Sequence, residues 1–193
     1  MEVTSKVLLV NACLRKDNSR TLKLVEGFLK EARRKTQYQI IERDITDLEA
    51  KPLTSKGFNL DGTQKEIDAS LAKEFALADY IVIGAPFYEF SFPSVLSIYI
   101  ENISIPGITF KYVGENSVGL CKAMSLTYIY TAGGYLKEED KIGEHLLKRL
   151  SSFYGIKEFH SLSATGLDIA GNDVDKIIKE ASLEAKEKGS LQI

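Results

Sequence analysis

Three aromatic rings, Phe87, Tyr88 and Phe90, fall within four positions directly after the apolar run Tyr80-Ile-Val-Ile-Gly84 and the pair Ala85-Pro86. Rings so placed either seal the end of a sheet or stack on a flat, conjugated ligand. A second group, Ser19-Arg20-Thr21, sets two hydroxyls and a cation where a helical pattern opens. Helix N-termini present unpaired N–H groups and a positive dipole end, which suit a phosphate. Serine and threonine also serve there as plain caps. A third group, Thr131-Ala-Gly-Gly134, ends another apolar run. Its glycines either let backbone lie close against a ligand or make an ordinary turn.

Acid–base machinery is scarce. The two histidines are His145, in a charged helical run, and His160, on a late strand pattern, and neither stands beside a nucleophile. No Gly-x-Ser-x-Gly elbow occurs. Cys13 and Cys121 are far apart with no CxxC, which suggests neither a disulfide framework nor a zinc site. The loop before Ser19 has no glycine and matches neither phosphate-binding glycine fingerprint. No catalytic side chain and no metal ligand is therefore expected. Such a chain suits a bound cofactor that carries the chemistry while the protein binds and orients.

The elements that must position these groups follow from periodicity. Residues 6–11 hold the aliphatic run Val7-Leu-Leu-Val10 and residues 80–84 the run Ile81-Val-Ile83, the pattern of parallel strands covered on both faces. A helix is expected from Ser19, with Leu22, Val25, Phe28 or Leu29, and Ala32 on one face. Residues 39–44 form a strand whose three charges suit a sheet edge. Residues 45–63 read as an excursion, 64–77 as a helix, and 124–130 as a strand. Further on, 138–154 reads as a helix with Ile142, Leu146, Leu150 and Phe153 inward. Residues 159–164 form a last strand and 173–188 a last helix. The helix opening near Pro93 is apolar nearly all round, with Glu101 as its only charge. It must be covered on more than one side, either by a subunit partner or by the excursion at 104–118. Five strands alternating with helices give an α/β fold, and in open sheets of this class ligands bind beyond the strands' carboxyl ends.

Composition bounds the rest. At 193 residues, 44% apolar and 27% charged, the chain (1–193) reads as a single globular domain. A net charge of −2 gives no footprint for nucleic acid. No signal-peptide pattern is seen at the start and no apolar stretch reaches the roughly 18 residues of a membrane helix. A cytoplasmic location is the expectation.

Pro86-Phe-Tyr-Glu-Phe90, Thr109-Phe-Lys-Tyr112, Gly119-Leu120 and Thr131-Ala-Gly-Gly134, in this order and spacing, resemble the FMN-dependent NADH:quinone oxidoreductases that also reduce azo dyes. The resemblance runs from Lys6 to about Gly166. It implies a flavodoxin-like three-layer sandwich, with a five-stranded parallel sheet in the order 2-1-3-4-5 and helices on both faces. It also implies a homodimer and one non-covalent FMN per subunit. NADH or NADPH would reduce the flavin and leave, and a quinone or azo aromatic would then take two electrons at the same face. By resemblance, Cys13, Ser19, Arg20 and Thr21 hold the phosphate, and Pro86, Phe87, Tyr88, Glu89 and Phe90 wrap the isoalloxazine. Thr131, Ala132, Gly133 and Gly134 close its far side. Departures exist: Cys13 stands where serine is common, Glu89 where asparagine is common, Ala132 where the residue varies, and Tyr135-Leu136 where some members carry a histidine. A flavodoxin-like electron carrier or an NAD(P)H-dependent FMN reductase are the alternatives, though carriers are usually far more acidic.

Overall fold

The computed structural model describes residues 5–33, 37–47, 51–57 and 68–187. Along the chain run β1 (Ser5–Asn11), α1 (Arg20–Arg33), β2 (Tyr38–Asp44), α2 (Ser70–Leu77), β3 (Tyr80–Gly84) and α3 (Ser94–Ile103). Then come β4 (Phe110–Val113), β5 (Asn116–Gly119), β6 (Ser125–Thr131), α4 (Ile142–Phe153), β7 (Glu158–Ala164) and α5 (Val174–Glu187).

The main sheet is parallel throughout, in the order β2-β1-β3-β6-β7. This is the expected flavodoxin-like order once the antiparallel hairpin β4–β5, which stands apart from the sheet, is set aside. The sheet separates two cores. On one face Leu8, Val10, Ile81, Ile83, Leu126 and Tyr128 meet α2, α3 and α4 through Phe75, Leu96, Tyr99 and Leu147. On the other, Val7, Leu9, Val82 and Ile129 meet α1 and α5 through Leu24, Phe28 and Ile178. Successive strand side chains alternate between the two cores, and β6 buries the hydroxyl residues Ser125, Thr127 and Thr131 on one of its faces. β2 lies at the edge, and Arg43 forks onto Glu74 of α2 at 3.0 and 2.8 Å.

Two helices differ from their expected form. α2 begins at Ser70; Asp68 and Ala69 precede it in non-helical backbone, where the Asp68 carboxylate accepts the Ser70 N–H at 2.9 Å. The rest of the expected first turn, 64–67, lies outside the described residues. α4 begins at Ile142, because 138–140 is a separate 3-10 turn. It buries Gly143, Leu147 and Ser151; Leu150 and Phe153 pack partly on the core as expected, whereas Ile142 and Leu146 are 56% and 45% exposed. Glu144 fixes this rotation. Its carboxylate accepts the Tyr130 hydroxyl at 2.7 Å and the Ser161 hydroxyl at 2.8 Å, so the helix must turn that face toward β6 and β7.

α3 buries Leu96, Tyr99 and Ile103 and leaves Val95, Ile98 and Ile100 half-covered. The Tyr99 hydroxyl is buried with no hydrogen-bond partner among the described residues. The β4–β5 hairpin packs on the end of α4, where the Phe110 and Phe153 rings lie 4.6 Å apart. Gly119 sits so close to the Tyr154–Gly155 backbone that a Cβ there would fall 2.0 Å from the Gly155 nitrogen. That contact admits no side chain.

Candidate functional site

Asn11, Asp44 and Gly84 lie in register at the carboxyl ends of β1, β2 and β3, while β6 runs two residues beyond the Gly84–Ile129 pairing to Thr131. The ladder continues into the loops: Phe87 N–H donates to Thr131 O at 3.0 Å and Ala12 N–H to Gly84 O at 2.8 Å. A cleft of about 230 Å³ opens at this edge. Arg15, Ser19, Arg20 and Thr21 line it from the α1 side, and Pro86, Phe87 and Tyr88 from the loop after β3. Thr131, Gly133 and Asp168 complete the wall from the loops after β6 and β7.

The α1 wall is cationic and rich in N–H donors. Ser19 is the N-cap: its Oγ accepts the Leu22 N–H at 3.2 Å, and its own N–H donates to Lys16 O at 2.7 Å. The N–H groups of Arg20 and Thr21 have no acceptor among the described residues. They stand with two guanidinium groups at a positive helix end, the arrangement that holds a phosphate. Capping by Ser19 therefore leaves the Arg20 and Thr21 N–H groups open toward the cleft. Thr21 and Thr131 share a hydroxyl–hydroxyl bond of 2.6 Å.

The aromatic wall ends in a tight turn. Tyr88 and Ser91 exchange backbone bonds of 3.1 and 2.8 Å, and Glu89 and Phe90 between them have φ of 51° and 64°. The Phe87 and Phe90 rings meet edge to face at 6.3 Å. Phe90 O accepts the Gly143 N–H at 3.1 Å, fastening the turn to α4.

Eight of the expected site residues thus share one cleft: Ser19, Arg20, Thr21, Pro86, Phe87, Tyr88, Thr131 and Gly133. The other five stand off its lining. Cys13 is 1% exposed, its thiol directed at Gly84 O at 3.5 Å, and burial pushes that thiol up to about 11. Ala132 is buried with its N–H donating to Ala164 O at 3.0 Å. Glu89 and Phe90 are exposed at the turn's tip, and Gly134 O accepts the Gly166 N–H at 3.0 Å.

Arg15 and Asp168 line the cleft although their residue types carried no signal in the sequence. Arg15 was discoverable as a neighbour of the phosphate loop. Asp168 follows β7 at the ligand edge, so the rule of carboxyl ends alone points to it. Arg20 Nη1 donates to Asp168 Oδ1 at 2.8 Å and to Leu167 O at 3.0 Å. The Arg20 guanidinium, with help from Arg15, holds the Asp168 carboxyl below its usual range. Among the described residues no cluster of three His, Cys, Asp or Glu side chains gathers as a metal site. A cationic, N–H-rich wall facing an aromatic wall fits a flat ring system that carries a phosphate, and FMN is such a ligand.

Comparison with known proteins agrees with this geometry. The profile of the family described as "Flavodoxin-like fold" matches residues 5–188. The chain is 35% identical over 195 residues to FMN-dependent NADH:quinone oxidoreductase 2 of Clostridium acetobutylicum, spanning 95% of this chain and 98% of that one. It is 34% identical over 192 residues to the FMN-dependent NADH:quinone oxidoreductase of Clostridium beijerinckii, spanning 95% and 97%. The crystal structure of an FMN-dependent NADH-azoreductase from Bacillus anthracis, in complex with FMN, superposes with a TM-score of 0.78 at 22% identity. It covers 96% of this chain and 98% of that one, which shows a shared fold.

Proposed function

We propose that this chain, which belongs to the flavodoxin-like fold family and within it to the FMN-dependent NADH:quinone oxidoreductases, binds FMN and passes two electrons from NADH to quinones. The observation that carries this reading is the cleft itself, where an anion-binding helix start faces Phe87 and Tyr88 at the carboxyl edge of the sheet. Bound FMN supplies the hydride chemistry, accepting from the nicotinamide and delivering to the acceptor.

The chain's own residues bind and orient. The Arg20 and Thr21 N–H groups, with the Ser19 and Thr21 hydroxyls, hold the phosphate. Pro86, Phe87 and Tyr88 fix the ring plane, and Thr131 and Gly133 bound its far side. Tyr88 and Phe90, 40% and 53% exposed, form an aromatic ledge on which a planar nicotinamide, quinone or azo compound stacks in turn. Among the described residues Asp168 is the one carboxylate in the lining and is paired with Arg20, so protons delivered to a reduced quinone come from solvent. Reductive cleavage of aromatic azo compounds is the further activity that the same ledge supports. NADPH is an alternative donor. The location we propose is the cytoplasm; no described helix is long and apolar enough to cross a membrane.

The decisive experiment is the visible spectrum of the purified protein followed by anaerobic NADH. A yellow protein that bleaches at once, and recovers colour on adding a quinone, supports the reading. One that stays yellow with NADH would instead be an electron carrier or would need another donor, which a second addition of NADPH tells apart.

A homodimer is part of this proposal. Val95, Ile98 and Ile100 on α3, with Ile142 and Leu146 on α4, leave apolar surface on one side of the sheet. A second copy would cover it. Light scattering should report twice the 21.5 kDa chain mass, and a wild-type monomer with full activity would refute the dimer.

A further inference from the structure

Residues 166–168 run beside residues 132–134 and are laced to them by three backbone bonds. Gly166 N–H donates to Gly134 O at 3.0 Å, Leu167 N–H to Ala132 O at 3.2 Å, and Asp168 N–H to Gly133 O at 2.9 Å. This strap brings two acceptors, Leu167 O and Asp168 Oδ1, to a single nitrogen of Arg20. The other guanidinium donors, Nε and Nη2, have no partner among the described residues, and Arg20 lines the cleft. An arginine fork gripped at one nitrogen keeps its remaining donors in a set direction.

The ion pair does little for folding. The Asp168 side chain is 67% exposed, and exposed pairs contribute little to stability. The carboxylate lies against Gly133, where a Cβ would fall 2.1 Å from Asp168 Oδ2.

We propose that Asp168 is a positioning residue: it holds the Arg20 guanidinium so that Nε and Nη2 face the phosphate of the bound flavin. The inference rests on the placement of that phosphate at the start of α1. Two effects oppose each other. A carboxylate near a phosphate repels it, while a fixed guanidinium attracts it more than a wandering one. Asp168→Asn removes the charge and keeps an acceptor for Nη1; Asp168→Ala removes both.

The test is fluorescence titration of the full chain, stripped of flavin, with FMN and with riboflavin. Asp168→Ala is expected to weaken FMN binding about tenfold, of the order of one charge-assisted contact. Asp168→Asn should bind FMN within about twofold of wild type or tighter, as an exposed charge contributes little by itself. Riboflavin affinity should be the same in all three. In an Arg20→Ala background, Asp168→Ala should have no further effect, which a merely structural role could not produce. Tighter FMN binding by both Asp168 variants would mean that the carboxylate only repels, and equal loss of FMN and riboflavin would mean a structural role; either overturns the proposal. If wild type does not prefer FMN over riboflavin, the phosphate placement itself fails. If wild type prefers FMN and Arg20→Ala abolishes that preference while Asp168→Ala leaves it intact, only the role of Asp168 fails.

Discussion

The hydroxyls of Thr21 and Thr131 lie 2.6 Å apart, joining the first turn of α1 to the last residue of β6 where both line the cleft. One of the two protons fills this bond. The other hydroxyl keeps its proton and can give it to a ligand. Since Thr131 O also accepts the Phe87 N–H at 3.0 Å, the same pair connects the α1 wall to the aromatic wall.

Thr21→Val keeps the side chain's shape but strands the buried Thr131 hydroxyl. The expected cost is about 1–3 kcal/mol of stability, together with weaker FMN binding and unchanged riboflavin binding. In the Thr21→Val/Thr131→Val double variant the stranded group is gone, so most of the stability should return while FMN binding stays weak. Denaturant unfolding and flavin titration on the three variants measure both. If stability is additive across the pair, the hydroxyls do not interact as the distance indicates.

The buried thiols give the protein an alkaline weakness. Burial pushes Cys13 up to about 11, with Asp44 and Glu42 adding to the shift, and pushes Cys121 up to about 12. In the unfolded chain each ionises near its ordinary value, about 8.5. Above that pH the folded state holds more protons than the unfolded one, so stability falls as pH rises. Melting temperature should decline from about pH 8.5 upward, before the tyrosines near 10 take part. A Cys13→Ala/Cys121→Ala variant should show a flatter profile between pH 8.5 and 9.5. Parallel profiles would remove the thiols as the cause.

Tyr99 is fully buried, packed edge to face on Phe75 at 6.4 Å, and its hydroxyl has no partner among the described residues. Tyr99→Phe removes an unsatisfied group without changing shape. It should raise stability by about 1 kcal/mol, or roughly 2–4 °C in melting temperature for a domain of this size. The adjoining void of about 10 Å³ is near the smallest that holds a water. A drop in melting temperature would place a bridging water there and correct the prediction.

β1 and β3 were legible because burial on both faces leaves no polar position within Val7–Val10 or Ile81–Ile83. The start of α1 was legible through Ser19, whose capping signal is local. The rotation of α4 was not. It is set by Glu144 reaching Tyr130 and Ser161, and the spacing of Ile142, Leu146 and Leu150 cannot reveal partners 14 and 17 residues away. Asp168 was hidden for the same reason: its partner Arg20 is 148 residues earlier, and a lone aspartate after a strand carries no local mark. Helical and strand periods report what solvent sees, whereas polar anchors report what distant elements need.

Glu89 brings the two kinds of information together. Asparagine is common at this position among proteins the chain resembles, and a carboxylate beside a flavin would be expected to lower its potential. The geometry gives the position a different meaning. Glu89 and Phe90 form the centre of a two-residue turn with φ of 51° and 64°, a left-handed region in which asparagine is favoured over other residues bearing a Cβ. The carboxylate is exposed at the tip and outside the cleft lining, where water screens its charge. Glu89→Asn should therefore act on the backbone, raising stability by a fraction of the roughly 1–2 kcal/mol that a left-handed residue costs. Glu89→Gln, which removes the charge without easing the turn, should leave stability unchanged. Both should keep the flavin midpoint potential within about 10 mV of wild type, a third of the roughly 30 mV that 1.4 kcal/mol would move a two-electron couple. Thermal melts and spectroelectrochemical titration at neutral pH separate the cases. A rise in potential common to Asn and Gln would show that the carboxylate reaches the ring, and equal melting temperatures for all three proteins would show that the turn is not strained by glutamate.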